Sequence, residues 1–255
     1  MYKTGYELSD DVIAEQYAHI PEVISMPAYF YRFVADRTVE VCREGRVLDI
    51  GCGNGYLLSL LARRRPELRL FGLEMSELVA NAGARTSAEG QPISFVRGSA
   101  LNVPFADGHF DLVIMSEVVE HLKEPAVGLR EARRLLKKGG TLLITVPNMS
   151  AFSPWWRIAE RRSGGLWHKL FLPWEHPLKT LQPIDTAYLF DDIIALVKEA
   201  GLRVASIRGR EYLPYLTVNL MGRIYSKLLL TRVEPALDRV LPARLAYRLL
   251  IECRS

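Results

Sequence analysis

From about Arg46 onward, apolar and polar positions alternate in blocks. Short apolar runs of strand length stand between longer segments in which apolar residues recur with a helical period. RVLDIG (46–51), LRLFGLE (68–74), ISFVRGSA (93–100), FDLVIMS (110–116) and TLLITVPN (141–148) are predicted strands. YLLSLLARR (56–64), SELVANAGARTSAEG (76–90) and PAVGLREARRLLKKGG (125–140) are predicted helices, the last closed by its glycines. This alternation predicts right-handed crossovers and a parallel sheet.

The alternation is interrupted twice in the second half of the chain. It resumes with a helix at 191–201, a strand at 202–209 and a last strand at 246–253. We therefore predict an α/β fold with a Rossmann-like, doubly wound, mostly parallel seven-stranded sheet, helices on both faces and a helical lid from two late insertions. The predicted parts are a helical cap (1–45), a core (46–148), a lid insertion (149–186), the end of the core (187–208), a basic insertion (209–243) and a final strand (244–255).

Composition is that of a folded protein of the cytoplasm. Apolar residues make up 49% of the 255 residues and charged residues 24%, which excludes a disordered chain. The first residues lack the profile of a secretory signal, and no apolar run approaches the roughly 18 residues that cross a bilayer. The three cysteines form no CxxC pair, so we expect a reducing compartment and no structural zinc.

Positive charge is concentrated near the C-terminus. The whole chain has a net charge of +4, yet residues 203–248 alone hold nine basic and three acidic residues. A basic region of this kind occurs in proteins that meet nucleic acid or an anionic membrane, and also on ordinary solvated faces. Charge alone leaves these alternatives open.

The strongest local motif is the glycine-rich turn in VLDIGCGNG (47–55). A buried strand is followed by Gly51, Gly53 and Gly55, and a helix begins directly afterwards. Glycine allows the backbone angles of a tight turn and lets a ligand approach the main chain. Glu74 ends the next strand about 20 residues later, where an acid can accept both ribose hydroxyls. The spacing GxGxG with Asp49 nearby suits a cationic amino-acid tail better than a diphosphate.

This turn resembles motif I of the class I S-adenosylmethionine-dependent methyltransferases. The resemblance continues in family order through LEM (73–75), GSALNVPF (98–105), FDLV (110–113) and LKKGGTL (136–142). It implies S-adenosylmethionine (SAM) as the cofactor and methyl transfer as the activity. A catalytically inactive SAM-binding protein of the same architecture is a further alternative, because a fold does not determine chemistry.

The resemblance also implies which residues contact the cofactor. The glycine turn would hold the methionine part, with Asp49 near its amino group, Glu74 on the ribose and Met75 on the adenine. Relatives usually have Asp where this chain has Ser99, whose hydroxyl can still accept a hydrogen bond. The predicted cofactor-binding residues are Asp49, Gly51, Cys52, Gly53, Asn54, Gly55, Glu74, Met75, Ser99, Ala100, Leu101, Ser116 and Glu117.

Two histidines are the predicted catalytic residues. His121 follows the fourth strand, where open parallel sheets bind their ligands, and could act as a base for a hydroxyl acceptor or brace the turn. His176 follows the fifth strand. Glu117, Glu120 and His121 form an ExxEH cluster that resembles the metal-binding motif of small-RNA 2′-O-methyltransferases and a region of quinone-pathway O-methyltransferases. Divalent metal assistance is therefore a hypothesis to which we do not commit.

The acceptor is predicted from the two insertions. Trp155, Trp156, Trp167 and Trp174 cluster in the first, and Leu220, Ile224 and Leu228 recur beside Arg223 and Lys227 in the second. They favour a small or lipid-like acceptor, O-methylation, and peripheral contact with the inner face of the membrane. The alternative is an RNA methyltransferase of the 2′-O type, but no RNA-binding module is recognisable, so nucleic acid is not the expected partner. The sequence does not indicate an oligomeric state.

Overall fold

A computed structural model describes residues 28–152, 184, 186, 188–212 and 233–255. Within these residues the strands are β1 (Gly45–Ile50), β2 (Leu68–Glu74), β3 (Ile93–Arg97), β4 (Phe110–Ser116), β5 (Leu136–Pro147), β6 (Arg203–Arg210) and β7 (Arg248–Arg254). The helices are α1 (Ala28–Val41), α2 (Tyr56–Arg64), α3 (Leu78–Ala88), α4 (Pro125–Leu135), α5 (Phe190–Glu199) and α6 (Glu234–Val240).

The strands form one seven-stranded sheet in the order β3-β2-β1-β4-β5-β7-β6. Strands β1 to β5 are parallel to one another, and β7 is inserted antiparallel between β5 and β6. The predicted mostly parallel, Rossmann-like sheet is confirmed. Strand order reverses between β1 and β4, and open sheets of this type bind ligands outside the carboxyl ends of the strands at that point.

Successive residues of the central strands point into two separate apolar layers. Val47 of β1 and Ile114 of β4 belong to one layer, against α1 and α2. Leu48 and Val113, their neighbours in sequence, belong to the other layer, against α4 and α5. Burial of each such side chain contributes roughly 1.5–3 kcal/mol, and covering both faces explains why these strands are apolar throughout.

The boundary between α4 and β5 differs from the prediction. We expected the helix to continue to the glycines at 139 and 140, but it ends at Leu135 and β5 begins at Leu136. Leu136 is 5% exposed and pairs with Phe110 of β4, so tertiary packing extends the strand backwards. Gly139 has a φ of +77°, which belongs to neither a helix nor a regular strand.

Helix α1 is attached to the last two strands by ion pairs. Arg37 Nε donates to Glu252 Oε2 of β7 at 3.0 Å, and Arg208 of β6 lies 3.4 Å from Glu40. Both ion pairs are in the C-terminal half of α1, whereas near its N-terminal end the ring of Phe30 lies against the guanidinium of Arg248, the first residue of β7. Residues 1–27 of the predicted cap, nearly all of the predicted lid insertion after residue 152, and residues 213–232 of the predicted basic insertion lie outside the described residues.

None of the helices described is both long enough and apolar enough to span a bilayer.

Candidate functional site

The turn between β1 and α2 is built from three glycines in the left-handed region. Gly51, Gly53 and Gly55 have φ angles of +74°, +51° and +72°. The backbone N–H groups of Gly51 and Cys52 both donate to the carbonyl of Leu73, at 2.7 and 3.0 Å. The turn is therefore fastened to the end of β2 and cannot move independently of it.

The three glycines differ in what surrounds them. A Cβ on Gly51 would lie 2.5 Å from Val118 Cγ2, and one on Gly55 would lie 2.9 Å from Phe95. A Cβ on Gly53 would meet no atom within 4 Å, so the space beside Gly53 is open. The turn consequently has a packed side at Gly51 and Gly55 and an open side at Gly53.

Glu74 closes the turn from the neighbouring strand. Its Oε2 accepts the N–H of Gly53 at 3.0 Å and its Oε1 accepts the N–H of Ser76 at 2.9 Å. The side chain is 8% exposed. Each carboxylate oxygen has a second lone pair, so Glu74 can support the turn and still accept hydrogen bonds from a diol.

Asp49 places a second carboxyl beneath the turn. Its side chain is buried, and burial together with the negative charge of Glu74 raises the pKa of Asp49 from 3.8 to about 8. A carboxyl in this environment gains from a nearby cation, because a positive charge would favour its ionised form. The pair of acids therefore suits a ligand that has an amino group as well as a ribose.

The other two residues of the turn differ in how they can contribute. The side chain of Cys52 packs against β2, because a Cβ on Gly72 would lie 2.7 Å from its sulfur. Burial raises the pKa of the Cys52 thiol well above its ordinary value, so it stays protonated and is not a nucleophile. Asn54 Oδ1 accepts the N–H of Tyr56 at 3.2 Å and thereby starts α2.

The residues predicted to contact the adenine lie at the ends of β2 and β3. The N–H of Gly98 donates to the carbonyl of Glu74 at 3.0 Å, which brings Ser99 and Ala100 beside Met75. Ser99 Oγ accepts the N–H of Leu101 at 3.2 Å and so stabilises its own turn. The Ser99 hydroxyl proton can still be donated, whereas an Asp at this position would offer acceptors only.

At the end of β4 the backbone is strained and held by a buried threonine. Glu117 has a φ of +55°, and its N–H donates to both the carbonyl and Oγ1 of Thr145, each at 3.0 Å. The Ser116 hydroxyl lies 3.0 Å from the same Oγ1. Glu117 Oε2 lies 3.6 Å from Nε of Arg248, the first residue of β7.

His121 ends a short 3₁₀ turn, Val119–His121, and contacts the chain near residue 184. Its Nδ1 lies 2.7 Å from the carbonyl of Ile184, so Nδ1 is the protonated nitrogen in the neutral ring and Nε2 has the lone pair. Nε2 lies 3.9 Å from Oε1 of the buried Glu120. The ring therefore braces the segment at Ile184 through Nδ1, and in its neutral form Nε2 is the basic nitrogen.

The ExxEH residues are not assembled as a metal site. Within residues 28–152 and the later described ranges, no three His, Cys, Asp or Glu side chains are grouped so that they could hold an ion. Glu117 faces the guanidinium of Arg248, which occupies the position a cation would take. His176, the other predicted catalytic histidine, and all four tryptophans lie outside the described residues.

The described members of the predicted site thus share one edge of the sheet. They lie at or just after the carboxyl ends of β1, β2, β3 and β4, around the point where the strand order reverses. Sequence reasoning missed Thr145, Arg248 and Glu211, which lie on or beside later strands of the same edge. The sequence around Arg248 does not indicate a functional residue, because its neighbours form an ordinary apolar strand.

Residues 48–144 match the family described as the methyltransferase domain. A demethylmenaquinone methyltransferase of Thermotoga maritima is 30% identical over 206 residues, which is 76% of this chain and 86% of that protein. The chain belongs to the class I S-adenosylmethionine-dependent methyltransferases. The two predictions drawn from the resemblance, SAM as the cofactor and methyl transfer as the activity, are confirmed.

Solved structures agree with this fold. A SAM-dependent methyltransferase from Aquifex aeolicus superposes with a TM-score of 0.58 at 14% identity and covers 97% of this chain and 99% of that one. The cyclase SpnF superposes with the same TM-score of 0.58 at 19% identity and covers 88% and 80%. At these identities the structures share the architecture and do not identify the acceptor.

Proposed function

We propose that this enzyme transfers the methyl group of SAM to a small, lipid-like acceptor of the quinol or phenol class, with oxygen as the methylated atom. The observation that most supports this acceptor class, though not the methylated atom, is the similarity, over most of both chains, to a protein named as a demethylmenaquinone methyltransferase. The proposal has two parts, the placement of the cofactor at the glycine turn and Glu74, and the placement of the acceptor.

We propose that the cofactor lies along the carboxyl ends of β1, β2 and β3. The main chain around Gly53 receives the methionine part, Asp49 faces its amino group and Glu74 accepts the ribose hydroxyls. Met75 and the turn at 99–101 hold the adenine. The open space beside Gly53 and the second lone pairs of Glu74 fit this placement. When bound, SAM supplies an electrophilic methyl group.

The protein then has to align the acceptor and remove its proton. Alignment of the reacting groups can lower the activation barrier by roughly 7–11 kcal/mol. We propose His121 Nε2 as the base, since Nδ1 is held by the carbonyl of Ile184 and the ring is oriented. A deprotonated phenol has nucleophilic density on oxygen and on ring carbon, so identification of the product decides which atom is methylated.

The acceptor side of the site is proposed from the two insertions. The tryptophan-containing residues 149–186 would cover the acceptor, with His176 near it, and 209–243 would contact an anionic membrane. Within the described residues, the end of that second segment and the two residues that follow it support the proposal. Val240 and Leu245 are 77% and 44% exposed, and Arg239 and Arg244 beside them are exposed as well. Apolar side chains flanked by arginines suit an anionic lipid surface.

The test is methyl transfer from labelled SAM to chemically reduced prenyl-naphthoquinones and simple phenols, with mass spectrometry and NMR of the product. Transfer to oxygen supports the whole proposal, and transfer to ring carbon supports the acceptor class but contradicts O-methylation. SAM binding without transfer to any of these acceptors overturns the acceptor class. Glu74→Ala is the negative control, because its loss of transfer shows that the signal comes from this site.

Membrane contact is tested separately by sedimentation with vesicles. Vesicles containing phosphatidylglycerol should bind the protein and neutral phosphatidylcholine vesicles should not. Arg223→Glu with Lys227→Glu, and Val240→Glu with Leu245→Glu, should each reduce binding. Equal binding to both kinds of vesicle, or no binding at all, overturns the membrane proposal.

A further inference from the structure

Glu117 and Glu211 share a backbone feature that no other described side-chain-bearing residue has. Their φ angles are +55° and +61°, and every other described residue in the left-handed region is a glycine. Backbone of this kind is strained for a residue with a Cβ and persists where the surroundings fix it, often at functional sites. Here the two strained residues come from distant parts of the chain.

Both carboxylates face one guanidinium. Glu117 Oε2 lies 3.6 Å from Arg248 Nε, and Glu211 Oε1 lies 3.6 Å from Arg248 Nη1. The three side chains are largely buried, with exposures of 12%, 9% and 16%. A planar guanidinium has N–H groups on more than one side and can face two carboxylates at once. Arg248 therefore joins the end of β4 to the residue that follows β6.

The backbone holds each member in place. Thr145 fixes the N–H of Glu117, and the N–H of Tyr247 donates to the carbonyl of Glu211 at 3.2 Å. Arg248 itself pairs in register with Pro147, the last residue of β5. Its guanidinium also lies over the ring of Phe30 in α1, 5.1 Å from the centroid, which adds a cation–π contact. The cluster therefore connects β4, β5, β7 and α1 at the carboxyl edge.

We propose that Arg248 is a positioning residue for methyl transfer: it holds the Glu117 carboxylate at the carboxyl end of β4, while Glu211 holds Arg248 from the other side. This inference rests on the proposed placement of the cofactor, whose sulfonium end would face Glu117. Two carboxylates around one guanidinium leave the cluster with one net negative charge. That charge favours a sulfonium over the neutral thioether that remains after the methyl group has left.

The cluster predicts opposite effects for its two central members. Glu117→Gln removes the negative charge, so affinity for SAM should fall several-fold relative to affinity for the thioether product, S-adenosylhomocysteine. Arg248→Gln leaves Glu117 charged but no longer oriented. The affinity ratio should then rise in favour of SAM, while kcat falls roughly 10- to 100-fold because the reacting groups are misplaced. Arg248→Lys should keep the wild-type affinity ratio but recover only part of kcat.

Arg210→Gln is the matched control. Arg210 pairs in register with Arg248, is 15% exposed, forms an ion pair with Asp238 at 2.8 Å and lies over the ring of Phe33. Its loss should lower the melting temperature about as much as the loss of Arg248 and should leave the affinity ratio unchanged. A merely structural role for Arg248 would give the two variants the same behaviour.

The experiment is calorimetric titration of each variant with SAM and with S-adenosylhomocysteine, together with steady-state kinetics on the acceptor that the wild type methylates. Opposite shifts of the ratio in Glu117→Gln and Arg248→Gln support the proposal. Ratios that match those of Arg210→Gln and wild type overturn it. If wild-type protein binds neither ligand, the proposed cofactor placement has failed as well, and that outcome is distinguishable because it appears before any variant is compared.

Discussion

Gly53 and Glu74 are joined by a 3.0 Å hydrogen bond from the glycine N–H to Oε2 of the acid. The two residues follow neighbouring strands, so one contact determines both the shape of the turn and the orientation of the carboxylate. The other oxygen of the Glu74 carboxylate, Oε1, accepts the N–H of Ser76. The acid is therefore structural for the turn and available to a ligand at once, which explains why it lies at the end of β2.

Glu74→Gln should weaken SAM binding roughly 10- to 100-fold. Gln replaces one acceptor oxygen by a donor amide, so it can no longer accept from Gly53, Ser76 and a ribose together. Calorimetry measures the change in Kd. Glu77→Gln is the control, since Glu77 is the nearest exposed acid in sequence and should bind SAM like the wild type. Equal affinities for the two variants would contradict the assignment of Glu74.

Gly53→Ala should abolish most SAM binding at a small cost in stability. The new methyl would meet no protein atom within 4 Å, but it would enter the space proposed for the ligand. Gly90→Ala is a closely matched control: Gly90 has a φ of +69°, against +51° for Gly53, and its surroundings are also open. Both variants should lose about 1 kcal/mol of stability from backbone strain.

Melting temperature and SAM affinity, measured on both glycine variants, separate strain from contact. Equal drops in melting temperature with loss of affinity only in Gly53→Ala would locate the ligand at the turn. If both variants bind SAM normally, the ligand does not approach Gly53, and the proposed cofactor placement is wrong.

The cofactor half of the site was largely predictable because it is local in sequence. The strands at 68–74 and 110–116 and the helix at 56–64 have the predicted bounds, since their apolar patterns agree with their burial. The turn that joins β1 to α2 is a continuous segment, so its glycines could be recognised together. Periodicity sufficed here because local preference and tertiary packing favour the same structure.

The Glu117–Arg248 contact could not be predicted, because it depends on how a distant strand enters the sheet. Only the antiparallel insertion of β7 beside β5 brings Arg248 to the carboxyl edge. In the sequence, Arg248 is one of nine basic residues between 203 and 248, and nothing local distinguishes it from the rest of that basic region. The strand start at Leu136 was missed for a similar reason, since its partner Phe110 lies on another element.

Asp49 should make the stability of the protein fall as pH rises. In the unfolded chain its carboxyl ionises near pH 4, whereas in the folded protein its pKa is about 8 because of burial and the charge of Glu74. Between these values the folded state binds more protons than the unfolded state, so this contribution to the free energy of unfolding decreases from about pH 4 to about pH 8 and is then constant. Asp49→Asn should remove that decrease.

Melting temperatures of wild type and Asp49→Asn from pH 5 to pH 9 test this expectation. The melting temperature of Asp49→Asn should increase relative to that of the wild type as pH rises. That of Asp36→Asn, a change at an exposed acid, should not. Parallel curves for wild type and Asp49→Asn would mean that Asp49 does not retain its proton in the folded state.

His121 can act as a base or only as a brace, and two substitutions distinguish these roles. The amide N–H of Asn can replace Nδ1–H as donor to the carbonyl of Ile184, but Asn has no basic nitrogen. If His121 is the base, His121→Asn and His121→Ala should both lower kcat by about 10²- to 10⁴-fold. The acidic limb of the pH–rate profile should disappear in both variants.

If His121 serves only to brace the segment at Ile184, His121→Asn should retain most of kcat and His121→Ala should lose it together with several degrees of melting temperature. Steady-state rates from pH 5 to pH 9, measured beside thermal unfolding, therefore assign the role directly. The base assignment is supported when the Asn variant is folded like the wild type and slow at every pH. It is contradicted when that variant turns over with an unchanged pH profile. Asn has no basic nitrogen, so such a result would mean that the reaction does not need a base at position 121.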